Sequence, residues 1–272
     1  MEEKRVHNGW GLDFSFPLRE RAIKPRNSGI TMIIDKGMGL RETEDLLEMS
    51  AGYIDFWKLG FATSALYNPL LLQQKIEMIS SHRIRVYPGG TFSEIAISQG
   101  KFSSYLQRAK ELSFSTVEIS DGTIYLSSRE RSRAIRTAGE MGFLVLTEIG
   151  KKDSREAFLT DSMAEQVSKD LDDGAFKVIV EARESGKNVT IFTEQGDIKT
   201  EKLTQLLMLV PDPNKLIWEA PIKTQQIEFI TLLGSDVNLG NIQGSDVISL
   251  ESLRRGLRSD TFRLYLAKNK LL

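Results

Sequence analysis

The chain has 272 residues, no cysteine, a formal net charge of −1 and 40% hydrophobic residues. This balance excludes disulfides and thiolate metal sites, and it gives no electrostatic reason to expect nucleic acid or a membrane surface as a partner. No apolar run approaches the roughly 20 residues of a membrane span, and the start Met1-Glu2-Glu3-Lys4-Arg5 has no apolar segment behind it, so the expected location is cytoplasmic.

Residues 1–29 hold Gly9, Gly11, Pro17, Pro25 and Gly29 and read as an irregular lead-in. Beyond them the chain alternates regularly. Strands are predicted at 30–35, 53–58, 84–87, 116–119, 143–148, 176–181, 216–219 and 236–239. Helices are predicted at 40–50, 69–81, 92–98 with 102–112, 128–141, 160–172, 199–209, 223–233 and 246–257. The strands are short, rich in Val and Ile and without clean alternation, as in a sheet buried on both faces. Eight strand–helix units close a barrel. The predicted fold is therefore α/β, a single-domain (β/α)8 TIM barrel over 30–257. The C-terminal extension, 258–272, could form a last helix on the barrel or on a neighbouring subunit. A doubly wound open sheet is the alternative, but it rarely needs eight evenly spaced units.

Four successive strands end in glutamate: Glu118, Glu148, Glu181 and Glu219, spaced 30, 33 and 38 residues apart. In a parallel barrel, strand ends of this kind converge at one mouth, where such folds do their chemistry. Carboxylates this close repel, so cations must be near. Two readings stay open: a Mg2+ held by two or three of the glutamates, or ion pairs with lysine and arginine on neighbouring strands. Cations are plentiful nearby in sequence. Lys58 ends the second strand, Lys151 and Lys152 follow Glu148, Arg183 follows Glu181, and Lys24 and Arg26 flank Pro25. A strand-end lysine serves as a general acid/base, a Schiff-base former or an anion clamp. Lys36 and Lys152 read as solvated loop residues.

Pro88-Gly89-Gly90-Thr91 resembles an anion-binding turn before a helix, and Ser120-Asp121-Gly122-Thr123 is a second turn of that kind. Asn238 and Asn241 flank Gly240 after the predicted eighth strand, a frequent phosphate position in these barrels. His7 and His82 read as surface residues, and a zinc hydrolase site has no ligand set.

The stretches KPRNSGITMIIDKG (24–37), IDFWKLGFATS (54–64), PGGTFSE (88–94), VEISDGT (117–123), TEIGKKD (147–153), VIVEARESG (178–186), IWEAPIKTQQ (217–226), VNLGNI (237–242) and LRRGLRSDTF (253–262) together resemble the phosphosulfolactate synthase family. The resemblance implies a (β/α)8 barrel, self-association as a trimer, and Mg2+-dependent addition of sulfite to phosphoenolpyruvate. The product would be (2R)-3-sulfolactate 2-phosphate, an early compound of coenzyme M synthesis. A family member acting on another enolisable or phosphorylated acid, or a non-catalytic homologue, are the rivals. Two places depart from the family's pattern, Lys58-Leu59-Gly60-Phe61-Ala62-Thr63-Ser64 and Gly89-Gly90-Thr91-Phe92-Ser93-Glu94. On this reading Glu118, Glu148 and Glu181 are metal ligands, and Glu148 is also catalytic. Lys151, and after it Lys58, delivers a proton. Lys24, Arg26 and Arg183 hold phosphate and sulfite, and Gly89, Gly90, Ser120 and Asn238 line the substrate. Glu219, with Ala220-Pro221 after it and no nearby cation in sequence, is expected to support the ligands or to ion-pair rather than to ligate.

Overall fold

The structure, a computed structural model, describes residues 9–11, 15–18, 21–150, 160–182, 185–187 and 191–270. Eight parallel strands follow one another as β1 (Thr31–Asp35), β2 (Phe56–Leu59), β3 (Arg85–Tyr87), β4 (Thr116–Ile119), β5 (Leu144–Ile149), β6 (Lys177–Val180), β7 (Leu216–Glu219) and β8 (Leu239–Gln243). They pair in the order β3-β2-β1-β8-β7-β6-β5-β4. The ladder thus wraps almost fully around a (β/α)8 barrel, and β3 and β4 meet at the remaining seam.

The helices lie outside: α1 (Leu40–Ser50), α2 (Pro69–Ser81), α3 (Gly90–Ser98), α4 (Phe102–Glu111), α5 (Ser128–Glu140), α6 (Thr160–Asp172), α7 (Thr200–Leu209), α8 (Lys223–Leu233), α9 (Val247–Arg254) and α10 (Ser259–Lys268). Local chemistry sets several starts. Asn68 caps α2 ahead of Pro69, and Ser127 and Glu130 form a reciprocal capping box on α5. The C-terminal extension forms α10, which packs on α8 and α9.

Two apolar clusters explain why the strands lack visible alternation. Side chains that point outward, such as Val117, Val145, Val178 and Trp218, join the large core beneath the helices. Those that point inward, Ile30, Met32, Phe56, Tyr87, Leu146, Ile179 and Ile217, fill the barrel itself. Both faces are apolar, so period two vanishes from the sequence although it governs the structure.

One strand lies away from its predicted position. Residues 236–239 were expected as the eighth strand, whereas β8 begins at Leu239 and continues through Gly240 and Asn241. A Cβ at Gly240 would stand 2.3 Å from Met32 Cε and 3.2 Å from Ile217 Cγ2, so glycine lets β8 pass the barrel filling without displacing the Met32 side chain. Glycine and asparagine look like turn residues in a one-dimensional reading, and this shift moves Asn238 to the opposite end of the strand.

Candidate active site

The inward alternation builds the mouth. Two residues beyond an inward apolar residue, the next inward position is polar. Phe56 leads to Lys58, Leu146 to Glu148, Ile179 to Glu181 and Ile217 to Glu219. With Glu118 at the end of β4, these side chains line a cavity of about 480 Å³ at the C-terminal end of the strands. Gly89, Gly90, Thr123 and Asn241 share its wall.

Lys58 is the hub. Its Nζ lies 3.2 Å from Glu118 Oε2, 3.4 Å from Glu148 Oε2 and 3.2 Å from Glu219 Oε1. All four residues are buried. Burial opposes the charged ammonium, but Glu118, Glu219 and Glu148 outweigh it and hold the lysine well above its ordinary range. The carboxyls move the other way. Burial, aided by Glu148 and Glu219 against the attraction of Lys58, pushes Glu118 up to about 7. Burial and then the charges of Glu148 and Glu219 raise Glu181 well above the carboxylate range, and a hydrogen bond to Glu148 adds to the effect. Glu219 is also raised, by burial and Glu148, while Lys58 and the Ala182 N–H pull against this.

One oxygen from each of Glu148, Glu181 and Glu219 lies within 4.8 Å of the others. Three oxygen donors, with no nitrogen or sulfur, suit a hard divalent cation. The structure therefore groups Glu148 and Glu181 with Glu219, where the sequence grouped them with Glu118. Glu118 is turned elsewhere. Its Oε1 accepts the Gly90 N–H at 2.8 Å and its Oε2 faces Lys58. This contact ties the start of α3 to β4 across the β3–β4 seam. A Cβ on Gly90 would sit 2.3 Å from Glu118 Oε1 and 2.4 Å from Ser120 Oγ, so glycine is required for this approach.

Positioning residues surround this set. Glu94 on α3 accepts hydrogen bonds from Ser120 Oγ at 2.6 Å and from the N–H groups of Gly122 and Thr123, both at 3.1 Å. Ser120 thus belongs to the frame of the loop that carries Thr123 to the cavity. Arg131 on α5 donates to both Asp170 oxygens, to Asp121 and to the Glu148 carbonyl. It locks the end of β5 from behind. Asp35 accepts from Trp57 Nε1 and from the N–H groups of Gly37 and Met38, fixing the turn after β1.

Three expected substrate residues are elsewhere. Arg26 Nε bonds Asp55 at 2.8 Å, just before β2 begins, and Lys24 Nζ bonds the carbonyls of Ala51 at 2.9 Å and His82 at 3.3 Å. Asn238 donates to the carbonyls of Asn214 and Leu216, and its Oδ1 accepts the Ile30 N–H. All three lie at the N-terminal ends of the strands, on the floor of the barrel, so none reaches the mouth. For Lys24 and Arg26, proximity in sequence to β1 misled, because they precede the strand while the site follows it. Lys151, Lys152 and Arg183 lie outside the described residues, as does His7. His82 and Lys36 are exposed.

Glu219 does ion-pair, as one of its two sequence readings has it, but its partner Lys58 is 161 residues away, so the sequence does not show that it also joins Glu148 and Glu181. The available signal was its place two residues after Ile217, the same as for Glu148 and Glu181. Glu94 and Arg131 carried no local signal, since each acts through a loop from another unit. Asn241 was noted beside Gly240 and does face the cavity.

Fold and site thus define a (β/α)8 barrel with a buried Lys–Glu cluster at its C-terminal mouth. A profile of the (2R)-phospho-3-sulfolactate synthase (ComA) family matches residues 19–260. The chain is 44% identical over 250 residues to the phosphosulfolactate synthase of Methanothermobacter thermautotrophicus, covering 91% of this chain and 96% of that one. It is 47% identical over 236 residues to the phosphosulfolactate synthase of Methanocaldococcus jannaschii, covering 86% and 94%. To that of Bacillus subtilis it is 39% identical over 254 residues, covering 93% and 99%. The chain belongs to the phosphosulfolactate synthase family, a family of enzymes. Among solved structures, a 3-hexulose-6-phosphate synthase superposes with a TM-score of 0.53 at 13% identity, covering 83% of this chain and 98% of that one. The 3-hexulose-6-phosphate synthase of Salmonella typhimurium gives 0.52 at 15% identity, covering 88% and 99%. These likenesses show the barrel fold alone. No helix among the described residues is long and apolar enough to cross a membrane.

Proposed function

We propose that this chain adds sulfite to phosphoenolpyruvate in a Mg2+-dependent reaction giving (2R)-phospho-3-sulfolactate, a carbon–sulfur lyase activity run in the synthetic direction. The observation that carries the reading is the charge at the mouth. Among the described residues, Lys58 faces buried Glu118, Glu148 and Glu219, and Glu181 joins Glu148 and Glu219 with one oxygen of each within 4.8 Å of the others. Three carboxylate oxygens this close suit a hard divalent cation, which would also ease the entry of an anionic substrate. Glu148, Glu181 and Glu219 are the residues that would hold Mg2+, which when bound supplies Lewis-acid stabilisation of the charge that builds on the substrate carboxylate.

In the reaction, the sulfur lone pair of sulfite forms the carbon–sulfur bond at the methylene carbon. The π pair of the double bond moves towards the carboxylate, and a proton then arrives at the phosphate-bearing carbon. Lys58, held charged by its three carboxylates, keeps the metal set in place and faces the developing negative charge. Because it resists losing its proton, Lys151, which follows β5 in sequence, is the better candidate for proton delivery. Arg183, two residues after Glu181 in sequence, is assigned to the phosphate or sulfite oxygens, which a planar guanidinium meets with two hydrogen bonds. Trimeric assembly, a cytoplasmic location and a place in coenzyme M synthesis belong to the same proposal, and the family resemblance supports them.

The test is direct. Purified protein with phosphoenolpyruvate, sulfite and Mg2+ should consume sulfite, chelation should stop it, and Glu148→Gln should abolish it with the circular dichroism spectrum intact. An inert wild-type protein would sink the substrate assignment. A second reading, another enolisable or phosphorylated acid as substrate, draws on Phe61 and Ala62. Both adopt left-handed φ values, 55° and 54°, and Phe61 lines the cavity. A substrate screen separates the two.

A further inference from the structure

The floor of the barrel holds a second charged cavity, of about 360 Å³, where the lead-in crosses the N-terminal ends of the strands. Arg21, Lys24, Arg26, Arg83 and Arg255 line it. Among the described residues, two carboxylates pair with these five cations. Asp55 takes Arg26, and Glu251 takes both Arg21 and Arg255. Among the described residues no carboxylate pairs with Lys24 or with Arg83. Among the described residues, Lys24 Nζ bonds the backbone carbonyls of Ala51 and His82.

Such an excess is costly. Burial pulls the Lys24 ammonium down to about 8, and Arg26 and Arg83 add to this against Asp55. The geometry is nevertheless fixed from several sides. Arg26 is anchored to Asp55 and to the Gly52 carbonyl. The Arg255 guanidinium stands 4.6 Å from the Phe16 ring centroid and 5.9 Å from that of Tyr53. Lys24 and Arg83, two cations without a carboxylate partner among the described residues on the rim of an open cavity, form the arrangement that binds oxyanions elsewhere in proteins. Arg21 and Arg26 are themselves buried, so their charge acts at reduced dielectric.

We propose that this floor cavity is an anion site, separate from the mouth, that takes a small phosphate-class dianion between Lys24 and Arg83. Its volume suits inorganic phosphate or a small phosphate ester and is too small for a folded partner. An anion here offsets the surplus of positive charge and ties the lead-in to the floor, so it binds the folded chain and raises its stability by linkage.

The experiment uses the full chain and inorganic phosphate, with sodium chloride matched for ionic strength. Phosphate should raise the thermal midpoint of the wild type in a saturable way that chloride does not reproduce. The double variant Lys24→Gln/Arg83→Gln should weaken the phosphate affinity at least about tenfold, the equivalent of one charge-assisted hydrogen bond, and keep its turnover of phosphoenolpyruvate and sulfite. Should the double variant fail to fold, Arg83→Gln alone, an exposed position, carries the same comparison. An equal phosphate response in wild type and variant overturns the site, because the anion is then held at the mouth. Absence of any response beyond the chloride control overturns it as well. Neither result bears on the sulfite reaction.

Discussion

Lys58 is one ammonium serving three carboxylates, and the mouth depends on it. Replacing it with methionine leaves Glu118, Glu148 and Glu219 buried without their cation. We expect Lys58→Met to lose activity and to cost about 3–5 kcal/mol of stability at neutral pH, the usual consequence of removing one partner of a buried ion pair. Denaturant unfolding measures this, and added Mg2+ should restore part of the loss. The sign of the pH dependence follows from Glu118. Its carboxyl binds protons more tightly folded than unfolded, since it is pushed from 4.5 up to about 7. Its contribution to stability is therefore complete below about 4.5 and disappears as pH rises through about 7. The thermal midpoint of metal-free protein should fall across that window, and Glu118→Gln should flatten the fall. A midpoint rising with pH over the same range would contradict the assignment.

At the scale of elements, the site is a product of loops fixed from outside it. The Glu94 carboxylate on α3 uses both oxygens to hold the turn after β4. In Glu94→Gln an amide NH2 faces one of those donors. The expected cost is roughly 1–3 kcal/mol, with a fall in kcat/KM approaching 100-fold if Thr123 shifts by about 1 Å. Unaltered kinetics would reduce Glu94 to a purely structural residue. Helix and strand positions were readable because each unit carries its own signals. Leu40–Ser50, Pro69–Ser81, Thr160–Asp172 and Lys223–Leu233 fall at the predicted residues. The eighth strand was not readable, because Gly240 and Asn241 are turn formers by local propensity. They become strand residues through the close passage against Met32 and Ile217.

At the scale of the molecule, the described residues give the two ends of the barrel opposite character. Among them, Lys58 and four glutamates line the mouth, and five cations with Asp55 and Glu251 gather at the floor. Asn238 belongs to the floor. It joins β8, β7 and the segment entering β1 through three hydrogen bonds. Asn238→Ala should therefore lower the midpoint of unfolding, by about 1–3 kcal/mol in free energy, with steady-state kinetics unchanged. Loss of activity in a fully folded variant would place Asn238 at the mouth after all. The sequence by itself determined the eight-unit barrel, the convergence of Glu118, Glu148, Glu181 and Glu219, and the family, because these rest on patterns within single strands and loops. Only the tertiary structure decided that Glu219 shares Lys58 and joins Glu148 and Glu181, and that Lys24, Arg26 and Asn238 face the floor. The physical reason is distance along the chain. A buried charge is settled by whichever partner the fold brings within a few ångströms, and for Glu219 that partner lies 161 residues away.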